Sequence, residues 1–278
     1  MKVRQLALGN YPYPLYPFDC FLDDAVSLGI GNIELWAASP HMGLDDYSLE
    51  MAASLHRKIR SRGLQIICFT PEQCAYPINI GSEDEIIRTR SLRYMLYGLQ
   101  CTSLLECPQF LVTPGNGYKT TNKESTRRHT LDSLHLLDDA ARKLGVRLVL
   151  EHLTKATTNL AILAEELFSL CDALGSSNLD CMVDTDMAWR YGQTAEEYIR
   201  EAEKRQRKLA HVHLVDGLPG GHLVPGDGVV PLHKSLMALQ KADYEGYLTF
   251  EITNERYYDE PKMALARCLD WSKPYFTE

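Results

Sequence analysis

Residues 146–151 read VRLVLE, an apolar run that closes with a carboxylate. Three further runs have the same form: LDCMVD at 179–184, LAHVHLVD at 209–216 and YLTFE at 247–251. Short strands that are apolar on both faces and alternate with helical segments are typical of a parallel sheet covered on both sides. The second half of the chain therefore predicts four parallel strands, each followed closely by polar residues.

The same alternation runs through the rest of the chain. Helical periodicity fills the intervals between strands, for example over Thr121–Leu144 and Asn159–Leu174, and glycines follow several of the predicted helices. The eight predicted strands are Val3–Leu8, Asn32–Trp36, Leu64–Phe69, Gln109–Val112, Val146–Glu151, Leu179–Asp184, Leu209–Leu214 and Tyr247–Ile252. Eight strand–helix units in 278 residues fit a closed (β/α)8 TIM barrel better than an open doubly wound sheet. No linker divides the chain, so we expect one domain over residues 1–278.

Composition excludes several classes of protein. The chain is 45% apolar and 24% charged, and 37 acidic against 29 basic residues give a net charge of −8, which argues against a nucleic-acid surface. No apolar window is long enough for a membrane span, and the first residues lack the pattern of a signal peptide. The eight cysteines include no C-x2-C pair, so we expect reduced thiols and a cytoplasmic location.

Four successive predicted strands present polar residues toward one mouth of the barrel. These residues are Glu151, Asp184, His213 and Glu251. Each carboxylate alone could cap a helix or pair with a lysine, but burying three together is unfavourable unless a cation balances their charge. Three oxygen ligands and one imidazole suit a hard or borderline cation. We therefore predict one divalent metal ion per chain, with Mn²⁺ favoured and Co²⁺, Mg²⁺ and Zn²⁺ as alternatives. His211 remains open between a supporting and a core position.

Short motifs in a fixed order resemble a known family over nearly the whole chain. The motifs are IELW at 33–36, TPE at 70–72, LVLEHLT at 148–154, MVDT at 182–185, HVHLVD at 211–216, HLVPGDG at 222–228, EGYLTFEI at 245–252 and EPK at 260–262. Their order resembles that of the sugar isomerases and ketose 3-epimerases of the xylose-isomerase-like barrel superfamily, and the fructoselysine-type 3-epimerases are the most similar subgroup.

The resemblance implies an isomerase that uses the four predicted ligands to hold a metal. It also implies that Glu151 and Glu251 are the catalytic acid/base pair, which epimerises the carbon next to a ketose carbonyl through a cis-enediolate. Two departures concern the tagatose-type subgroup. Met187 stands where those enzymes carry a histidine, and Gly217-Leu218-Pro219 stands where they carry an arginine. A free tagatose or psicose substrate is therefore less favoured than a derivative.

Further residues at the predicted mouth are candidates for binding a sugar. Trp36 and His41 follow the second strand and Glu72 and Tyr76 follow the third, with loop packing as the alternative in each case. Asp186 either recognises a substrate amine or is a solvated loop carboxylate. In the Gly/Pro-rich loop at 221–228, either His222 or Asp227 reaches the substrate, or the loop only turns sharply.

Other functions remain open beside the epimerase. A lyase on the same barrel, such as a keto-inositol dehydratase, would share the enediolate. A nuclease of the endonuclease IV type is disfavoured by the acidic charge and the small number of candidate histidines, and a metal-free binding protein is the remaining alternative. The expected partner is a small-molecule sugar, with no nucleic acid and no membrane. The aromatic segment YPYPLYPF at 11–18 predicts either a pocket wall or a subunit contact, which leaves a homo-oligomer open.

Overall fold

The computed structural model describes residues 1–73 and 78–277. Eight parallel strands pair in chain order, and the last pairs with the first, so the sheet closes into a barrel. The strands are Leu6–Gly9 (β1), Asn32–Ala37 (β2), Gln65–Pro71 (β3), Gln109–Val112 (β4), Arg147–Leu150 (β5), Leu179–Asp184 (β6), Leu209–His213 (β7) and Tyr247–Phe250 (β8). The predicted (β/α)8 TIM barrel is confirmed.

Helices follow each strand and surround the barrel. They are Phe18–Ser27 (α1), Leu49–Arg60 (α2), Glu85–Leu104 (α3), Lys123–Leu144 (α4), Ala164–Leu174 (α5), Thr185–Trp189 (α6), Ala195–Arg205 (α7), Leu232–Lys241 (α8) and Pro261–Ser272 (α9). The short helix α6 is an addition to the regular alternation, and it begins directly at the end of β6. None of the helices in the described ranges is long and apolar enough to cross a membrane.

Strand alternation divides the buried side chains into two layers. Leu148 and Leu150 of β5 belong to the large apolar cluster that also includes helix residues, whereas Val149 belongs to a small cluster formed by strand residues. That small cluster contains Ala7, Ile67, Cys68, Leu111, Val149 and Met182. Because side chains on a strand alternate between faces, residues two positions beyond this inner layer point into the barrel above it. Glu151 is one of them.

Most predicted boundaries differ from the observed ones by no more than two residues, and the two larger differences have local reasons. Val3–Gln5 form a 3₁₀ turn instead of the start of β1. There the Gln5 side chain accepts a hydrogen bond from the Lys2 amide at 2.8 Å and donates to the Tyr244 carbonyl at 2.7 Å. Helix α5 begins at Ala164 rather than at the predicted Asn159, because Glu166 Oε2 accepts from the amides of residues 162 and 163 and fixes the first turn there.

Seven of the eight cysteines lie in the described ranges, and all seven are free thiols. Most of them are buried, as small apolar residues are in a core. Burial raises the pKa of the Cys101 thiol to about 11, which keeps it protonated at neutral pH. The expectation of reduced cysteines agrees with this arrangement.

Candidate metal centre

The four predicted ligands come from the carboxyl ends of four successive strands. Asp184 and His213 are the last residues of β6 and β7. Glu151 and Glu251 each follow the last residue of a strand, β5 and β8 respectively. Since neighbouring parallel strands end at the same edge of the barrel, their side chains converge.

The ligand atoms of these four residues form a compact cluster. One atom from each of Glu151, Asp184, His213 and Glu251 lies within 4.8 Å of all the others. His213 Nδ1 is 2.9 Å from Glu251 Oε2 and 3.2 Å from Glu151 Oε1. Asp184 and His213 are fully buried, so solvent does not screen the charges of the cluster.

Several atoms of this cluster lack a hydrogen-bond partner. Within the described ranges, nothing donates to Glu151 Oε1 or Asp184 Oδ2, and the close contacts of His213 Nδ1 do not have hydrogen-bond geometry. The other oxygen of Asp184 does have a partner, because it accepts from the Met187 amide at 2.7 Å and caps helix α6. An unsatisfied buried polar atom costs about 1–3 kcal/mol. A divalent cation would satisfy these atoms together, so the residues present fit a metal ion.

The charged groups of the cluster strongly shift one another's pKa values. Burial, together with the neighbouring carboxylates, raises the pKa of Glu151 to about 7. Burial acts in the same direction on Glu251, but His213 and His222 outweigh it and lower the pKa of Glu251 to about 2. Burial lowers the pKa of His213, yet Glu251 and Glu34 reverse this effect and hold it well above its usual range. His213 and His222 therefore supply the positive charge that balances these carboxylates.

His222 reaches the same cluster from the loop that follows β7. Its Nε2 lies 3.2 Å from Glu251 Oε2 and 3.4 Å from Asp184 Oδ2. The backbone at His222 is left-handed, with φ at 51°, which is uncommon for a residue other than glycine. The other candidate of this loop, Asp227, pairs instead with Arg256 and Arg267. His222 is therefore the loop residue that meets the site.

A cavity of about 610 Å³ opens above the cluster. Glu151 and Glu251 line it, as do three of the predicted substrate residues, Trp36, Glu72 and His222. Trp36 Nε1 donates to Glu72 Oε2 at 3.0 Å. The ring of Trp36 stacks on Tyr11 with 5.4 Å between centroids, so the segment at 11–18 contributes to the pocket wall.

Asp186 also lines the cavity, but its surroundings are not those of a solvated carboxylate. It is 1% exposed, and Arg190 donates to both of its oxygens at 3.0 Å. The interpretation of Asp186 as a solvated loop residue was wrong, because helix α6 buries it against the loop after β7. A Cβ on Gly217 would lie 1.8 Å from Asp186 Oδ1, so only glycine fits beside it. Arg190 pairs with this carboxylate and balances its charge inside the protein.

One predicted substrate residue, His41, stands apart from the cavity. His41 is absent from the lining contributed by the described residues, and its ring lies between the Asn10 side chain at 2.8 Å and the Tyr16 carbonyl at 2.9 Å. Burial lowers the pKa of His41, which is consistent with a neutral packed ring. Tyr76 lies outside the described residues.

A buried network below the cluster was not predicted. Its centre is Glu34 of β2, which is fully buried and contacts His211 and His213. A glutamate in the middle of the apolar strand NIELWA is a signal that could have identified it. His211, which sequence reasoning left open, lies 2.8 Å from Glu34 and supports the site instead of filling an apolar core.

The fold and the cluster together define a class of TIM barrels with a carboxylate-rich site suited to a divalent cation at the mouth. The chain belongs to the xylose isomerase-like TIM barrel family, whose model matches residues 22–275. It is 26% identical to the fructoselysine 3-epimerase of Escherichia coli O157:H7 over 272 residues, which cover 97% of this chain and 96% of the relative.

Solved structures agree with this fold. An L-ribulose 3-epimerase superimposes with a TM-score of 0.80 at 18% identity, over 99% of this chain and 94% of that one. The IOLI protein, solved with a bound zinc atom, superimposes with a TM-score of 0.79 at 17% identity, over 99% and 100% of the two chains. The enzymes among these relatives are sugar epimerases, which supports the predicted class of enzyme, an isomerase.

Proposed function

We propose that this chain is a divalent-metal-dependent epimerase that inverts the carbon next to the carbonyl of a ketose or ketose derivative. The observation that carries the proposal is the convergence of Glu151, Asp184, His213 and Glu251, with unpaired buried atoms, beside an open cavity that the two glutamates line. The similarity to a fructoselysine 3-epimerase favours 3-epimerisation of a substrate of that type.

Glu151 and Glu251 are the proposed acid/base pair. Inversion requires that a proton leave one face of a flat intermediate and that another arrive on the opposite face, so two separate carboxylates are needed. Both glutamates line the cavity, and they enter it from different strands, β5 and β8. Because epimerisation is reversible, each serves in both directions.

The four clustered residues would hold the cation. A C–H next to a carbonyl is a weak acid, and a bound divalent ion supplies positive charge that stabilises the negative charge developing on the substrate oxygens. Mn²⁺ is the favoured ion for three carboxylates and one imidazole, and Co²⁺, Mg²⁺ and Zn²⁺ are the alternatives for the same ligands.

The cavity wall is proposed to orient the sugar. Trp36 offers an aromatic face to the apolar C–H groups of a sugar, and Glu72 and His222 offer polar atoms. Met187 lines the same cavity where the tagatose-type enzymes carry a histidine. We therefore favour a substituted ketose over a free one.

Deuterium exchange followed by NMR tests this proposal. Metal-loaded protein is incubated in D₂O with fructoselysine, psicose, tagatose, fructose and 2-keto-inositol, each in a separate sample. Deuterium at C3 together with an inverted centre is the expected result. Label at C1 or C2 with carbonyl migration would indicate an aldose–ketose isomerase, and loss of water from the product would indicate a lyase. No exchange with any compound and any of the four metals would contradict the proposal.

A further inference from the structure

Glu34 is the buried acceptor for the ring nitrogen of His213 that does not face the ligand cluster. Its Oε1 lies 3.0 Å from His213 Nε2, and its Oε2 lies 2.8 Å from His211 Nε2. His213 Nδ1 faces the carboxylates of Glu151 and Glu251 instead. This imidazole thus lies between Glu34 on one side and the two ligand glutamates on the other.

The contacts of Glu34 show which of its oxygens can carry a hydrogen. Tyr11 donates its hydroxyl to Oε1 at 2.8 Å, and Thr70 donates to the same oxygen at 2.5 Å. His213 Nε2 meets that same oxygen, and His211 Nε2 meets the other oxygen, where solvent does not reach. The two hydroxyl donors occupy the lone pairs of Oε1, so Oε1 has no hydrogen to offer to His213 and only accepts.

This arrangement determines which nitrogen of His213 carries a hydrogen. Because Oε1 can only accept, His213 Nε2 carries a hydrogen, and in the neutral ring that a cation requires the lone pair is on Nδ1, toward the ligand cluster. The donors come from different parts of the barrel: the segment after β1, strand β3 and strand β7. They hold the carboxylate in place, so the ring of His213 is held as well.

We propose that Glu34 is a positioning residue, which fixes the tautomer and orientation of His213 so that Nδ1 is presented to the metal ion. The inference rests on the metal site of the proposed function. A carboxylate behind a metal-binding histidine orients the ring and makes the nitrogen ligand more basic, and its loss typically weakens metal binding by about 10–100-fold.

The first test measures metal affinity. Zn²⁺ binding to metal-free protein is measured by chelator competition for the wild type, for Glu34→Gln and for Tyr11→Phe. Glu34→Gln is expected to weaken binding by about 10–100-fold. Tyr11→Phe removes a hydrogen bond to the same carboxylate but leaves His213 its acceptor, so we expect a loss of at most about threefold. Equal affinity in Glu34→Gln and the wild type would overturn the inference, and so would an equal loss in both variants.

The second test needs no variant at position 34 and therefore does not depend on how well that variant folds. The protein is labelled with ¹⁵N-histidine and loaded with ¹¹³Cd²⁺, and the His213 signals are assigned by their loss in His213→Gln. We expect ¹¹³Cd coupling to Nδ1 and a protonated Nε2. Coupling to Nε2 would overturn the inference while leaving the metal site intact. If the wild type binds neither Zn²⁺ nor Cd²⁺, the proposed function fails, and this inference fails with it.

Discussion

Charged side chains are arranged in opposite ways at the two ends of strands β5 and β6. At the amino ends, Arg147 Nε donates to Asp180 Oδ2 at 2.6 Å, and the two charges neutralise each other. Four residues further along the chain in each case, the carboxylates of Glu151 and Asp184 lie close together at the carboxyl ends. Each has an oxygen that has no hydrogen-bond partner in the described ranges. In TIM barrels the amino ends of the strands contribute to stability, and the carboxyl ends carry the catalytic residues. The same strands therefore serve stability at one end and function at the other.

The largest expected effect follows from removing a carboxylate at the functional end. Glu251→Gln is predicted to lower turnover by about 10²–10⁴-fold, because an amide cannot accept the proton. Glu245→Gln is the matched control, since Glu245 is exposed just before the same strand at the opposite end. Turnover is measured by product formation on the substrate found by deuterium exchange. Near-normal turnover in Glu251→Gln would remove Glu251 from catalysis.

A matched pair on β6 sharpens the comparison. Asp184→Asn is predicted to weaken metal binding by on the order of a hundredfold or more, because an anionic ligand is lost. The free energy of unfolding of its metal-free form should stay within about 0.5 kcal/mol of the wild type, since asparagine also caps helices well. Asp180→Asn should leave metal binding unchanged and lower stability by at most about 1 kcal/mol. Calorimetric titration and chemical denaturation measure these quantities, and the reverse pattern would contradict the account.

Metal binding is predicted to stabilise the whole protein. A cation at about 100 times its Kd adds about 2.7 kcal/mol to the free energy of unfolding, which corresponds to a rise in Tm of about 5 °C for a chain of this size. Differential scanning fluorimetry of verified metal-free protein with added Mn²⁺, Co²⁺, Mg²⁺ or Zn²⁺ measures the rise. Asp184→Asn provides the control and should show little of it. An unchanged Tm in the wild type with all four ions would argue against the site.

The smallest predicted effect is the pH dependence of that stabilisation. Burial raises the pKa of Glu151 to about 7 in the metal-free protein, so its folded state retains a proton that the unfolded state loses at lower pH. This group therefore makes the metal-free protein less stable as pH rises toward 7. The cation must displace that proton, so its Kd should be at least about tenfold higher at pH 6 than at pH 8, and the proton that His213 loses adds to the difference. The rise in Tm should be correspondingly larger at pH 8. Equal rises at both pH values would contradict the pKa shift of Glu151.

The sequence predicted the structure best where a polar candidate residue ends an apolar strand. Strands Gln109–Val112 and Leu179–Asp184 have their predicted bounds, and the four predicted ligands lie together. Glu34 was missed because its partner His213 is 179 residues away, and no local pattern joins them. The pairing of Asp186 with Arg190 is local, since the two are four residues apart on a helical turn, but the burial of Asp186 depends on tertiary structure, because the loop after β7 lies against it. Local periodicity thus predicts strand ends well, but it does not predict which buried groups meet across the barrel.

Anomalous diffraction from crystals of Mn²⁺-loaded protein tests the central claim most directly. We predict one strong manganese peak per chain, about 2.0–2.3 Å from an oxygen of each of Glu151, Asp184 and Glu251 and from Nδ1 of His213. A peak at another place, or no peak in crystals of protein shown to contain stoichiometric manganese, would contradict the account.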